Sequence, residues 1–165
     1  MTHGLPDAEA ALGELVERMS GAVPHDAALV GIYSGGAWLA ERLAQALPGN
    51  HPVGFIDVSF YRDDYATAGL KGGTKRSDIS FDVAGARIVL IDDVLYTGRS
   101  VRAAINELFD FGRPARIELA VLIDRGGREL PIEPTYCGER LAVAQDLSIV
   151  LSQDGDRLAL GVRQT

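Results

Sequence analysis

Four short segments of this chain are apolar along nearly their whole length: Ala27–Tyr33, Val53–Tyr61, Arg87–Ile91 and Ile117–Ile123. A strand with one face in water alternates apolar and polar residues. A strand without that alternation must be covered on both faces, as in a parallel sheet. The cover is written between the strands. Asp7 stands where an N-cap would, and Leu12, Leu15, Val16 and Met19 follow at helical spacing. From Ala37 onward Leu39, Leu43, Ala46 and Leu47 share one helical face, until Pro48-Gly49-Asn50 stops the run. Ser100–Phe111 repeats the pattern with Val101, Ile105, Leu108 and Phe109. Strand and helix alternate, so the expected class is α/β, a parallel sheet flanked by helices. Arg62–Ser80 is polar, glycine-rich and without period, which marks a functional lid or a disordered segment. At the C-terminal end Leu147–Leu151 and Leu158–Val162 flank Gln153-Asp154-Gly155-Asp156, which predicts an antiparallel β-hairpin.

The chain has 165 residues, room for one domain spanning residues 1–165 with a sizeable core. Sixteen Lys and Arg against 23 Asp and Glu leave a net charge of −7. That balance argues against non-specific attraction to nucleic acid or to an anionic membrane. No apolar run approaches the roughly 20 residues of a membrane-spanning helix. Cys137, the lone cysteine, can form no internal disulfide, and Met1–Asp7 has neither the basic region nor the apolar core of a signal peptide. Both point to a reducing, cytoplasmic compartment. Nineteen glycines exceed ordinary usage, and the excess asks where the backbone must pass close to a ligand. His3, His25 and His51 lie in predicted loops or tails without metal-ligand spacing and are expected in solvent. Asp57 is expected to be structural, Trp38 to serve the core or a subunit contact, and Cys137 to be inert.

The chemistry concentrates in RIVLIDDVLYTGRS, residues 87–100. An apolar strand ends at Asp92-Asp93, which places two carboxylates at the carboxyl edge of a parallel sheet, where open α/β sheets bind ligands. Thr97-Gly98-Arg99-Ser100 then supplies hydroxyls, a glycine and backbone amides at a helix N-terminus, an arrangement suited to a phosphate. A phosphorylated sugar needs both, since carboxylates accept from its hydroxyls while amides hold its phosphate.

IVLIDDVLYTGRS resembles the phosphoribosyl-pyrophosphate (PRPP) binding motif of the type I phosphoribosyltransferases. DVSFYRDDY (57–65), SDISFDVAG (77–85), TGRSVRAAINEL (97–108) and LAVLIDRGGRELPI (119–132) narrow the resemblance to the PyrR-like family of bifunctional pyrimidine operon regulators and uracil phosphoribosyltransferases. It covers residues 30–136 well and the ends weakly. The resemblance implies the type I phosphoribosyltransferase fold, with a flexible flap over about residues 62–80. It also implies the reaction of uracil with PRPP to give UMP and pyrophosphate. Carried over by position, Asp92 and Asp93 would contact the ribose hydroxyls and offset positive charge developing on the sugar. Tyr96, Thr97, Gly98, Arg99 and Ser100 would hold the 5-phosphate. Mg2+ would arrive with the pyrophosphate and meet Asp92 and Asp93 largely through water. Ser34, Gly35 and Gly36 would form the pyrophosphate loop, and Arg62 in the flap would supply a catalytic cation toward the leaving group. Asp124 and Arg125 would border the base pocket, with Asp124 also facing the metal–pyrophosphate group. The resemblance further suggests a homodimer or homotetramer.

Two departures stand out. The family's pyrophosphate loop usually reads Thr-Arg-Gly, so Gly35 removes a direct positive contact, and weaker PRPP binding is expected. Gly127 stands where the family frequently has histidine. Family members also attenuate transcription by binding a leader RNA, and here that function is disfavoured. Residues 1–60 carry only Arg18 and Arg42 against seven acids, Asp7, Glu9, Glu14, Glu17, Asp26, Glu41 and Asp57. Residues 138–146 lack the family's Pro-Thr-Ser segment. Against this, an oligomer could gather Arg125, Arg128 and Arg140 into a basic patch. The alternative to the enzyme is a pyrimidine-responsive mRNA-attenuation regulator that binds nucleotides with weak or no catalysis.

Overall fold

The computed structural model describes residues 4–59 and 77–165. Five parallel strands, β1 (Ala28–Ile32), β2 (Val53–Ile56), β3 (Arg87–Leu95), β4 (Arg116–Asp124) and β5 (Tyr136–Arg140), form one sheet in the order β2-β1-β3-β4-β5. Helices α1 (Ala8–Ser20) and α2 (Gly35–Ala46) lie on one face and α3 (Arg99–Phe111) on the other. β6 (Leu147–Asp154) and β7 (Arg157–Gln164) pair as the expected antiparallel hairpin.

The two-faced burial read from the strands is visible in how their side chains divide. Leu29, Val89, Ile91, Ala120 and Leu122 join the core under α1 and α2, with Leu12, Leu15 and Met19 of α1 and Leu39 and Leu43 of α2. The alternate residues Ala28, Val30, Ile32, Ile88, Leu90, Leu119 and Val121 join the core under α3, with Val101, Ala104 and Leu108. Period-two alternation thus persists, with apolar residues on both faces. Ile149, Leu151 and Leu158 bring the hairpin into the first of these cores. Arg42 fastens the hairpin's tip, donating to Glu9 Oε2 at 2.6 Å and to the Asp156 carbonyl at 3.0 Å, while the Leu158 amide donates to Glu9 Oε1 at 2.9 Å. The Asp7 N-cap is as expected, accepting from the Ala10 amide at 3.0 Å.

Several boundaries differ from the sequence reading for identifiable reasons. β2 stops at Ile56 because Asp57 turns the chain, its Oδ1 accepting from the Ser59 amide at 2.9 Å. β3 runs on through Asp92-Asp93 to Leu95 because β4 continues its ladder, pairing Asp92 with Val121 and Leu95 with Asp124. β5 was not expected; it pairs with the edge of β4, Ala120 opposite Tyr136. α2 begins at Gly35, so the expected glycine loop forms the helix's first turn, after a cis Tyr33–Ser34 peptide. His51 is buried rather than in solvent, its ring nitrogens 2.8 Å from the Ala27 carbonyl and 3.1 Å from that of Pro48.

Several glycines stand where a side chain would run into neighbouring backbone. A Cβ on Gly36 would fall on the Ile91 carbonyl oxygen of β3, and one on Gly31 would meet the Gly36 carbonyl and sit 2.7 Å from Ala37 Cα. A Cβ on Gly138 would lie 2.6 Å from the Leu122 oxygen and 2.8 Å from the Ala11 oxygen. These neighbours are backbone and cannot swing aside. Gly36→Ala is therefore expected to destabilise the fold by about 3 kcal/mol through overpacking, read as a lowered urea midpoint at unchanged m-value.

Candidate functional site

The strand order creates a crevice. α2 leaves β1 toward one face and α3 leaves β3 toward the other, so the chain parts between the carboxyl ends of β1 and β3. The β1 ladder ends at Gly31 opposite Ile91, while β3 continues along β4. Asp92 and Asp93 stand on the stretch of β3 that β1 no longer covers. Each is tied down by the next amide: Asp92 Oδ1 accepts from the Asp93 N–H at 2.9 Å, and Asp93 Oδ1 from the Val94 N–H at 2.8 Å.

The two carboxylates meet different helix N-termini. Asp92 and residues 94–101 line a cleft of about 170 Å³ at the start of α3. Gly98, at φ 94°, turns the chain into that helix, and Thr97 Oγ1 accepts from the Arg99 amide at 3.2 Å. Neither Gly98 before α3 nor Ser34 before α2 supplies a side-chain cap. Asp93 lies against the first residue of α2: a Cβ on Gly35 would be 2.8 Å from its Cγ and 2.9 Å from its Cβ. Helix N-termini carry partial positive charge and donors without intrahelical acceptors. With carboxylates beside them, such a crevice can hold a ligand that is anionic at its ends and hydroxylated between.

Asp124 and Arg125 form a second layer behind this crevice. Asp124 is 3% exposed and is bound by Arg128 Nη2 at 2.7 Å, Arg140 Nη1 at 3.1 Å and the Gly126 amide at 3.0 Å. Burial pushes its pKa up, but Arg128, the Gly126 amide and Arg140 outweigh that and leave it below the ordinary carboxylate value. The loop after β4 is stapled to the loop after β3. The Arg125 amide donates to the Leu95 carbonyl at 3.1 Å, the Glu129 and Leu130 amides to that of Thr97 at 3.0 and 3.1 Å, and Arg128 Nη1 to that of Tyr96 at 3.1 Å. Arg125, 7% exposed, donates to the carbonyls of Leu147 at 2.6 Å and Ala144 at 3.0 Å, with its guanidinium 3.9 Å from the Tyr96 ring centroid.

The structure thus brings together Ser34, Gly35, Gly36, Asp92, Asp93 and residues 96–100, with Asp124 and Arg125 behind them. Arg62 and residues 62–76 of the expected flap lie outside the described residues. Of the three arginines offered as a basic patch, Arg125 and Arg128 are drawn into protein contacts, and only the Arg140 side chain, 65% exposed, faces solvent. The sequence reading missed Arg128 and Arg140 as partners of Asp124, since a loop arginine and one on an unrecognised strand carry no periodic signal. Burial pushes the Cys137 thiol up, which suits an inert cysteine.

Asp124→Asn is expected to cost about 3 kcal/mol at neutral pH by leaving two arginines facing a neutral buried amide. Because the folded pKa is lowered, the carboxylate's contribution is complete above its unfolded value of about 4 and disappears as pH falls through the folded one. Urea unfolding of wild type and variant should therefore begin to converge as pH falls below about 4 and stay apart above it.

Known proteins supply an independent comparison. A family model described as a phosphoribosyl transferase domain matches residues 5–139. The bifunctional protein PyrR of Ralstonia nicotianae is 52% identical over 160 residues, 94% of this chain and 91% of that protein. That of Nitrosococcus oceani is 44% identical over 140 residues, covering 84% and 79%. Among solved structures, a hypoxanthine-guanine phosphoribosyltransferase of Bacillus anthracis superposes with TM-score 0.70 at 16% identity, covering 94% of this chain and 95% of that one. The Trypanosoma cruzi hypoxanthine phosphoribosyl transferase gives 0.68 at 19%, covering 94% and 89%. The structural likeness establishes the fold, and identity above one half across nearly the whole of both chains goes further: this chain belongs to the phosphoribosyltransferase family, as a PyrR-like type I member.

Proposed function

We propose that this phosphoribosyltransferase joins uracil to PRPP, giving UMP and pyrophosphate. The observation that carries the reading is the position of Asp92 and Asp93, anchored side by side in the β1–β3 crevice with the start of a helix next to each. A ring nitrogen of uracil forms its bond to the anomeric carbon as the bond to pyrophosphate breaks, and the nitrogen's proton is lost. Asp92 and Asp93 accept from the ribose hydroxyls and offset the positive charge that gathers on the sugar. The amides and hydroxyls of residues 96–100 hold the 5-phosphate, and Ser34, Gly35 and Gly36 present amides to the pyrophosphate. Arg62 would act on the leaving group from the flap. Asp124 and Arg125 act from behind, by holding the loops in place.

Among the described residues no group of three or more His, Cys, Asp or Glu is placed to cage a metal ion. Two neighbouring carboxylates nevertheless suit Mg2+, which keeps waters and is held through one or two carboxylates plus substrate phosphates. Asp92 and Asp93 would hold it, and it would neutralise charge on the departing pyrophosphate. The family resemblance supports assembly as a homodimer or homotetramer. No helix among the described residues is long and apolar enough to cross a membrane, which accords with a cytoplasmic enzyme. Regulation through RNA is the weaker reading, because Arg125 and Arg128 face inward.

Incubation with Mg2+, PRPP and single nucleobases is expected to yield UMP and pyrophosphate with uracil. Turnover with a purine and none with uracil would overturn the base assignment. Asp92→Asn and Asp93→Asn are each expected to lower kcat by about 100-fold. Gly35→Arg, the change that restores the family's arginine, must first displace the Asp93 carboxylate, so a gain in PRPP affinity is not expected from it alone. Gly35→Ala isolates that effect: it removes no functional group, yet should lower kcat/KM for PRPP about tenfold. Unchanged kinetics would mean that Asp93 works equally well from another position.

A further inference from the structure

The Tyr96 side chain is gripped on several sides by the loop after β4. The Arg125 guanidinium lies over its ring, 3.9 Å from the centroid. Gly127, at φ 77°, runs so close to the ring edge that a Cβ there would be 2.7 Å from Tyr96 Cδ1. Arg128 Nη1 binds the Tyr96 carbonyl at 3.1 Å. Tyr96 in turn lines the cleft at the start of α3 and opens the segment assigned to the 5-phosphate. The other end of Arg125 reaches the C-terminal hairpin: Nη1 donates to the Leu147 carbonyl, the first residue of β6, at 2.6 Å, and Nη2 to the Ala144 carbonyl at 3.0 Å. The side chain is 7% exposed, and its Nε is buried without an acceptor among the described residues. A guanidinium so desolvated interacts more strongly with a ring face than one in water.

We propose that Arg125 is a positioning residue for phosphate binding: it braces the Tyr96 ring against the start of β6 and so fixes the loop that holds the 5-phosphate, independently of where the far tip of the hairpin sits. Lysine cannot replace it, since a point charge neither stacks in a plane nor donates in two fixed directions at once. Gly127 belongs to the same device, because a side chain there would push the ring from beneath the guanidinium. The inference rests on assigning residues 96–100 to the 5-phosphate.

The test compares full-length wild type with Arg125→Lys, Arg125→Met, Tyr96→Leu and the Arg125→Met/Tyr96→Leu double variant. A control, Arg42→Met, loosens the hairpin at its far end, where Arg42 holds Glu9 and the Asp156 carbonyl. Calorimetric titration with ribose 5-phosphate, and with PRPP plus Mg2+, gives Kd; steady-state kinetics give KM and kcat; thermal melts report folding. Both Arg125 variants should weaken ribose 5-phosphate and PRPP about tenfold, raising KM for PRPP more than they lower kcat. Arg42→Met should lower the melting temperature while leaving both Kd values unchanged. The double variant should be no weaker than the worse of the single ones, the mark of two groups acting as one. Should the Arg125 variants melt too early for titration, Tyr96→Leu must alone reproduce the affinity loss. A lowered melting temperature with unchanged Kd, or additive effects at Arg125 and Tyr96, overturns the proposal. Titration decides Arg125 whether or not uracil is turned over, whereas wild type that binds neither sugar phosphate overturns both this inference and the phosphate assignment beneath it.

Discussion

Backbone-to-backbone contact between the first turn of α2 and the end of β3 is the constraint on which the crevice depends. With no Cβ on Gly36 or Gly31, α2 begins against the Ile91 carbonyl, one residue before the acidic pair. That approach sets the helix start beside Asp93 and leaves Gly35 without a side chain where the carboxylate lies. The glycine excess is therefore used partly for protein against protein. The glycines that the proposed function assigns to the pyrophosphate also allow helix and strand to sit this closely.

What was legible in the sequence was what repeats locally. Alternation of apolar segments with helical faces specified the parallel sheet and both of its covering layers, and the acidic pair followed by Thr97-Gly98 marked the strand-to-helix corner. What stayed hidden depends on contacts distant in sequence. β5 has five residues, among them Gly138, Glu139 and Arg140, and no apolar run; it is a strand because β4 offers an unpaired edge. Asp92-Asp93 is a poor strand sequence, held extended by the β4 ladder, which pairs Asp92 with Val121. His51 reads as a loop residue because nothing near it in sequence shows that the Ala27 carbonyl awaits it. The partners of Asp124 follow the same logic, for Arg128 is four residues away without a helix between them, and Arg140 comes from the unrecognised strand.

The arginines carry a further lesson about charge. A cluster such as Arg125, Arg128 and Arg140 suggests a phosphate-binding surface when only sequence is known. In the folded chain two of the three are turned inward, one to Asp124 and backbone carbonyls, the other to the hairpin and the Tyr96 ring. A guanidinium held by a buried carboxylate cannot also neutralise a nucleic-acid phosphate without leaving that carboxylate unpaired, a cost of several kcal/mol.

The same inward turn bears on how a small anion is held. Where the family's pyrophosphate loop offers arginine this chain offers Gly35, Arg125 and Arg128 are engaged in protein contacts, and Arg99 lies 3.5 Å from Glu129 at the surface. Among the described residues the starts of α2 and α3 leave backbone amides such as those of Gly35, Gly36 and Ser100 beside the acidic pair, held in place because the helices are packed against the sheet. Such donors gain strength from position rather than from mobile charge, and salt screens them less than it screens an exposed cation. On the proposed assignment these amides hold the phosphates, and binding by amides demands accurate placement of the loops that carry them. That demand accounts for the density of staples behind the site, where Arg125, Arg128 and the amides of Glu129 and Leu130 all fasten onto residues 95–97 or their ring.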